Sequence, residues 1–165
     1  MGLLLDWFEL LFPPPAVQAE IRVLSGAATG TAIGVSVIVR TLRIARTNQY
    51  TAVSVAGLGG QPLQFVQGGS RTLSADLLFD GRATNTDVRQ AMNQVTRLMR
   101  VEGTTHAPPL LRFTWRGESL QCVLESVVEE FRSVFADGRP SRGRLHVVLR
   151  ESLTVQQLQQ EAGDQ

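Results

Sequence analysis

The groups able to do chemistry are few, and their spacing argues against most of it. His106 and His146 are the only imidazoles and Cys122 is the only thiol. A histidine-dependent nucleophile sits in a strained turn such as G-x-S-x-G, and no such turn occurs. His106 precedes Ala-Pro-Pro, and His146 stands between Leu145 and Val147 on a strand that also carries arginines. Two histidines and one distant cysteine do not make a zinc ligand set. Glu129 and Glu130 are neighbours, so on a strand their carboxylates point to opposite faces and cannot flank one bond. The runs Gly57-Leu58-Gly59-Gly60 and Gly68-Gly69 lack the Lys-Ser/Thr of a phosphate loop. The strongest polar feature is Arg142, Arg144 and Arg150 on one strand face. Without interleaved aromatics it is a poor nucleic-acid surface. It fits a subunit contact or a solvated face. The expectation is no catalytic residue, no cofactor and no metal.

Those residues need a scaffold, and the chain is long enough to build one. A sequence of 165 residues suits a single domain, and folding at this size buries about 70% of the unfolded surface. The formal charge is +1, and every cation is arginine. That usage reflects genome composition or planar, bidentate contacts at interfaces. Cys122 falls in an apolar strand pattern, where a buried, inert thiol is expected. The opening MGLLLDWFELLFPPP is apolar but has no basic leader, and Asp6 and Glu9 interrupt it. It is too short to span a bilayer. Synthesis in the cytoplasm and no membrane insertion are expected.

Residues 1–19 read as an apolar arm. Leu3, Leu4, Trp7, Phe8 and Leu11 fall at helical spacing, and Pro13, Pro14 and Pro15 end it. Trp7 and Phe8 need cover, from this domain or a neighbour. From Ile21 the period becomes two. Ile33, Val35, Val37 and Val39 alternate with polar or small residues, then the parity flips to Leu42 and Ile44, which calls for a bulge or a change of environment. Short strands are expected at Val53–Val55 and Leu63–Phe65. Leu73, Ala75, Leu77 and Phe79 form a half-buried strand with Leu78 misplaced on its polar face. Thr84 or Thr86 caps a helix whose apolar stripe is Val88, Ala91, Met92, Val95, Leu98 and Met99. Leu111, Phe113 and Trp115 follow as a strand. Residues 120–135 carry apolar groups on both faces, with Leu120, Cys122 and Leu124 on one and Val123 and Val127 on the other. A second subunit is a natural second cover. Asp137-Gly138-Arg139-Pro140 turns the chain into Leu145, Val147 and Leu149. About eight strands and one helix predict a mainly β fold, an antiparallel β-barrel or sandwich with one flanking α-helix, over residues 20–152. A glutamine-rich tail, 153–165, follows.

The ordered segments RTLSADLLFD, HAPPLLRFTW, FADGRP and LHVVLRE resemble the tube-like proteins of contractile injection systems. The likeness is greatest to the baseplate tube adaptor, or tube initiator, of antifeeding-prophage-type particles. It rests on Leu73, Leu77, Phe79, Asp80, Pro108, Pro109, Phe113, Trp115, Gly138 and Pro140, with Phe131, Phe135 and Glu151. The resemblance implies a phage tail-tube-like barrel that forms a sixfold ring with copies of itself. The ring would join the hub or spike protein to the inner-tube protein, touch other baseplate subunits and seed the tube. Such proteins usually carry a peptidoglycan-binding LysM domain, and no LysM pattern is present here. The expected surroundings are a phage-tail-like particle made in a bacterial cytoplasm and kept there or released. The residues expected at subunit interfaces are Trp7, Phe8, Leu78, Val123, Val127, Arg144 and Arg150. The bulk inner-tube protein and, in a different class, a soluble ligand-binding β-barrel are the alternatives.

Overall fold

In the computed structural model the described residues are 15–154 with Gln157 and Gln159. The arm helix, Trp7 and Phe8, and nearly all of the glutamine-rich tail lie outside them.

Nine strands form. They are β1 (Ala16–Val23), β2 (Ala32–Ile38), β3 (Arg43–Ala45), β4 (Asn48–Ala52), β5 (Leu63–Gly68), β6 (Thr72–Asp80), β7 (Leu111–Trp115), β8 (Glu118–Val134) and β9 (Pro140–Glu151). Strand β1 starts at Ala16, so residues 16–19 belong to the barrel, not to the arm assigned from sequence. All pairings are antiparallel, in the order β2-β1-β7-β8-β9-β6-β3, and β2 also pairs with β6 at Ser36–Leu78 and Val37–Leu77. That last pairing closes β2, β1, β7, β8, β9 and β6 into a barrel and removes their edges there.

The period-two pattern dictates the wall. Leu73, Ala75, Leu77 and Phe79 of β6 point inward, facing Leu149, Val147, Leu145 and Gly143 of β9. Phe113 is fully buried and stacks at a tilt on Trp115, their ring centroids 5.3 Å apart. Arg116 and Gly117, both at positive φ, make the two-residue turn from β7 to β8.

The parity flip after Val39 is a 3-10 turn, Val39–Thr41, between β2 and β3. Both strands pair with β6, so the chain leaves the ladder for one turn and returns to the same neighbour. The Thr41 hydroxyl donates to the Ile38 carbonyl (2.7 Å) and accepts from the Asp76 N–H (2.9 Å), filling the gap in the ladder.

Helix α1 (Arg89–Thr96) continues into a 3-10 turn, Arg97–Met99. Val88, Met92, Val95 and Leu98 join the barrel's own core. Gly143 occupies an inward position on β9, and a Cβ there would lie 2.3 Å from Met92 Sδ. The glycine is what lets the helix seat over the barrel end. The expected stripe is narrower than read. Ala91 is exposed within the α-helix, and Met99 is 38% exposed where the 3-10 turn swings it off the buried face. The cap differs as well. Neither Thr84 nor Thr86 caps the helix; the Asp87 carboxylate accepts from the Arg89 N–H at 2.9 Å.

Candidate assembly surface

The residues of the recognised segments are mostly architectural. Leu73, Leu77, Phe79, Phe113, Trp115 and Pro109 are buried, and Pro108 is half-buried. Asp80 ends β6 and accepts from Arg82, side chain and backbone N–H alike, at 2.7–3.2 Å. The Arg82 hydrogen bonds hold the Asp80 carboxyl below its usual range, outweighing the opposing effect of burial. Gly81, next in line, donates its N–H to the Ser141 carbonyl at 2.8 Å. A Cβ on Gly81 would meet the Thr86 carbonyl oxygen at 1.9 Å, so this junction admits only glycine. Pro140 accepts from the Val88 N–H (3.2 Å), and Gly138 takes the positive φ of the β8–β9 turn. Together the segments weld β6, the helix entry and β9.

The outward face of the wall carries charge, but the charge is matched within the chain. Asp76 accepts from Arg144 (3.5 Å) and lies 2.6 Å from His146 Nδ1. Arg150 grips Glu125 with Nε at 2.7 Å and a second nitrogen at 2.8 Å. That grip keeps the Glu125 carboxyl below its usual range. Arg142 lies buried, its Nε 3.7 Å from Asp80. So the arginine face is neutralised by its own acids and is no open basic strip. His146 carries no hydroxyl or thiol partner among the described residues, so the His146–Asp76 pair lacks a nucleophile. His106 sits in the loop before β7, at φ +52°. Cys122 is fully buried, and burial pushes its thiol up to about 12.

Leu78 and Val123 lie on the outward face, opposite Arg144 and Arg150. Val127 does not share that face. The register of β8 shifts between Leu124 and Ser126, so the bulged Glu125 reverses the parity and sends Val127 inward, opposite Val147 and against the core.

Two surfaces stand open, one within the stretch 120–135 that the sequence marks for a second cover and one that it does not single out. The first is the outer half of β8. Strand β7 pairs with β8 only as far as Cys122, and beyond it no strand of the described residues lies on that side. There Val128, Phe131 and Val134 are 61%, 47% and 62% exposed. The second is the β4–β5 hairpin, a two-stranded sheet of its own whose every strand residue is exposed. Tyr50 and Phe65 meet edge-to-face at 5.6 Å, and Leu63 is 71% exposed. A usable signal existed: no charged residue occurs between Arg46 and Arg71. A stretch that long, uncharged yet outside the core, marks a surface to be covered.

Among the described residues there is no cluster of potential metal ligands and no helix long and apolar enough to cross a membrane. Clefts of about 300 and 330 Å³ lie beside the helix, one at the β6 rim and one against the β1–β2 loop.

No protein of curated function matches the chain. Among solved structures, the Dit protein of phage SPP1 aligns at a TM-score of 0.49 and 12% identity, over 81% of this chain and 49% of that one. That protein is described as a paradigm of the hub adsorption apparatus in phages infecting Gram-positive bacteria, and this chain spans about half its length. The profile of the family described as contractile injection system tube protein matches residues 26–160, from the β1–β2 loop to beyond the end of β9. With that match over most of its length and a mainly β antiparallel fold, the chain belongs to the contractile injection system tube protein family.

Proposed function

We propose that this chain is a non-enzymatic, ring-forming adaptor at the baseplate end of the inner tube. It links the hub or spike protein to the tube and starts tube polymerisation. The observation that carries the reading is the sheet β8-β9-β6-β3. The barrel closes around most strands, yet this sheet ends in two edges without strand partners among the described residues, β3 on one side and the outer half of β8 on the other. Open edges beside exposed Val128, Phe131 and Val134 call for cover. Head-to-tail contacts that close make a ring, and axial contacts that do not close make a tube. Sixfold closure comes from the family resemblance. The uncharged hairpin is free to meet the layer above or below, and the apolar arm with Trp7 and Phe8 adds a further contact. Leu78, Val123 and Arg150 lie on the outer wall, facing other baseplate subunits, and Arg144 lies there largely covered.

The bulk inner-tube protein is the second reading, favoured by the family's description as tube proteins. Copy number separates the two. Particles sedimented from the native host and quantified by mass spectrometry would contain few copies of an adaptor against a far larger number of tube subunits. Equal abundance with the tube would make this chain the tube itself. A chain that stays soluble and monomeric would overturn both readings and favour a ligand-binding barrel, although side chains fill this barrel's interior.

A further inference from the structure

We infer that the lateral contact between copies is keyed by charge, the arginine edge at β3 of one chain meeting the glutamate edge of β8 in the next. The inference rests on the ring reading and adds the polarity of the contact. The segment Arg40-Thr-Leu-Arg43-Ile44-Ala-Arg46 holds three arginines and no acid. Arg43, Ile44 and Arg46 are exposed on and beside β3. Beyond Cys122, where β7 no longer pairs with it, β8 holds three glutamates, Glu125, Glu129 and Glu130, against one basic residue, Arg132. Glu125 and Glu130 are partly answered within the chain, by Arg150 at 2.7 Å and Arg132 at 3.3 Å. Glu129 is exposed and has no ion pair among the described residues, and the same holds for Arg43.

The two edges bound one sheet on opposite sides, separated by β9 and β6. Four antiparallel strands leave β3 running opposite to β8. A neighbour related by rotation about a ring axis therefore brings its β3 antiparallel to this β8, and the alternation continues without a break. A twofold contact, β3 on β3 or β8 on β8, is also antiparallel but sets like charges together. Like-charge juxtaposition suppresses that pairing, while opposite charges favour the head-to-tail one. Charge segregation thus selects a ring over a closed dimer.

The test uses full-length chains in the host that makes the particles, with copies in the sedimenting fraction as the readout. Arg43→Glu and Glu129→Arg, each alone, should lower incorporation about tenfold, while circular dichroism of the purified chains stays unchanged. Producing the two variants together should restore it, because each then meets a complementary edge. Arg43→Glu/Glu129→Arg in one chain should restore it too. Wild-type incorporation by both single variants would overturn the inference and leave the ring reading standing. Loss without rescue, or gain by a single variant alone, would also overturn it. Absence of the wild-type chain from particles would instead remove the ring reading and this inference with it.

Discussion

The barrel and the β4–β5 hairpin are built from the same residue types and treat them in opposite ways. In the barrel, Leu73, Leu77, Phe113, Leu145 and Leu149 are all 0–1% exposed, and the strands are closed on one another. In the hairpin, Leu63, Phe65, Val66 and Tyr50 are each more than half exposed and both edges are open. Burying one such side chain is worth about 1.5–3 kcal/mol, and the hairpin forgoes that gain in the isolated chain. One region is closed by the chain itself; the other is left open by it. The outer half of β8 belongs with the hairpin in this respect, though it is continuous with the barrel wall.

The contrast can be broken at either side. The largest effect should come from Phe113→Ala, which opens a cavity in the closed barrel and should cost about 3–5 kcal/mol in chemical denaturation. If it costs less than about 1 kcal/mol, the interior is not packed as described. Next is Gly143→Val. Its added carbons must displace Met92, and overpacking of this kind costs about 1–3 kcal/mol. Met92→Ala in the Gly143→Val background should recover part of that loss, and no recovery would disprove the close seating of the helix.

A smaller, pH-dependent effect is expected where β9 ends. Glu151 accepts from the Arg71 N–H at 2.9 Å and from Arg71 Nε at 2.8 Å. Burial alone would raise its carboxyl, but the Arg71 hydrogen bonds win and hold it below the ordinary value of 4.5, with help from Arg46. The folded state therefore binds its proton less readily than the unfolded chain. The stability this contributes is fully present above about pH 4.5 and disappears as pH falls through the depressed value. Glu151→Gln should flatten that part of the stability curve while lowering stability at neutral pH. An unchanged acid limb would mean that other carboxylates govern it.

The smallest change in stability should come from the hairpin. Leu63→Ser should stay within about 0.5 kcal/mol of wild type in the isolated chain, as exposed positions do. Yet it should reduce incorporation into particles. A large loss of stability would place Leu63 in a core, and unaltered incorporation would leave the hairpin without a partner.

How far the sequence could be read follows the same divide. Where a strand faces the core, alternation is imposed by burial, so β6, β7 and β9 were legible from Leu73, Phe113, Leu145 and their neighbours. Where nothing in the chain faces the strand, alternation is not imposed. Strand β4, Asn-Gln-Tyr-Thr-Ala, carries no such pattern, and the apolar pair Val53 and Val55 that reads as a strand lies in the hairpin loop. In β8 the flip of parity was visible, but one extra residue at Glu125 explains it better than a strand apolar on both faces. The recognised segments marked the weld between β6, the helix and β9. Apart from Phe131 they did not mark the open edges, because a strand face with nothing in the chain packed against it carries no imposed pattern.

The burial of Cys122 has a practical corollary. With its thiol pushed up to about 12, almost none is thiolate at neutral pH, so neither oxidants nor alkylating reagents find a foothold. A cysteine introduced at the hairpin tip or on the β8 edge would then be the sole reactive thiol of the described residues. A dye or a spin label placed there would report on that surface alone as the chain meets its neighbours.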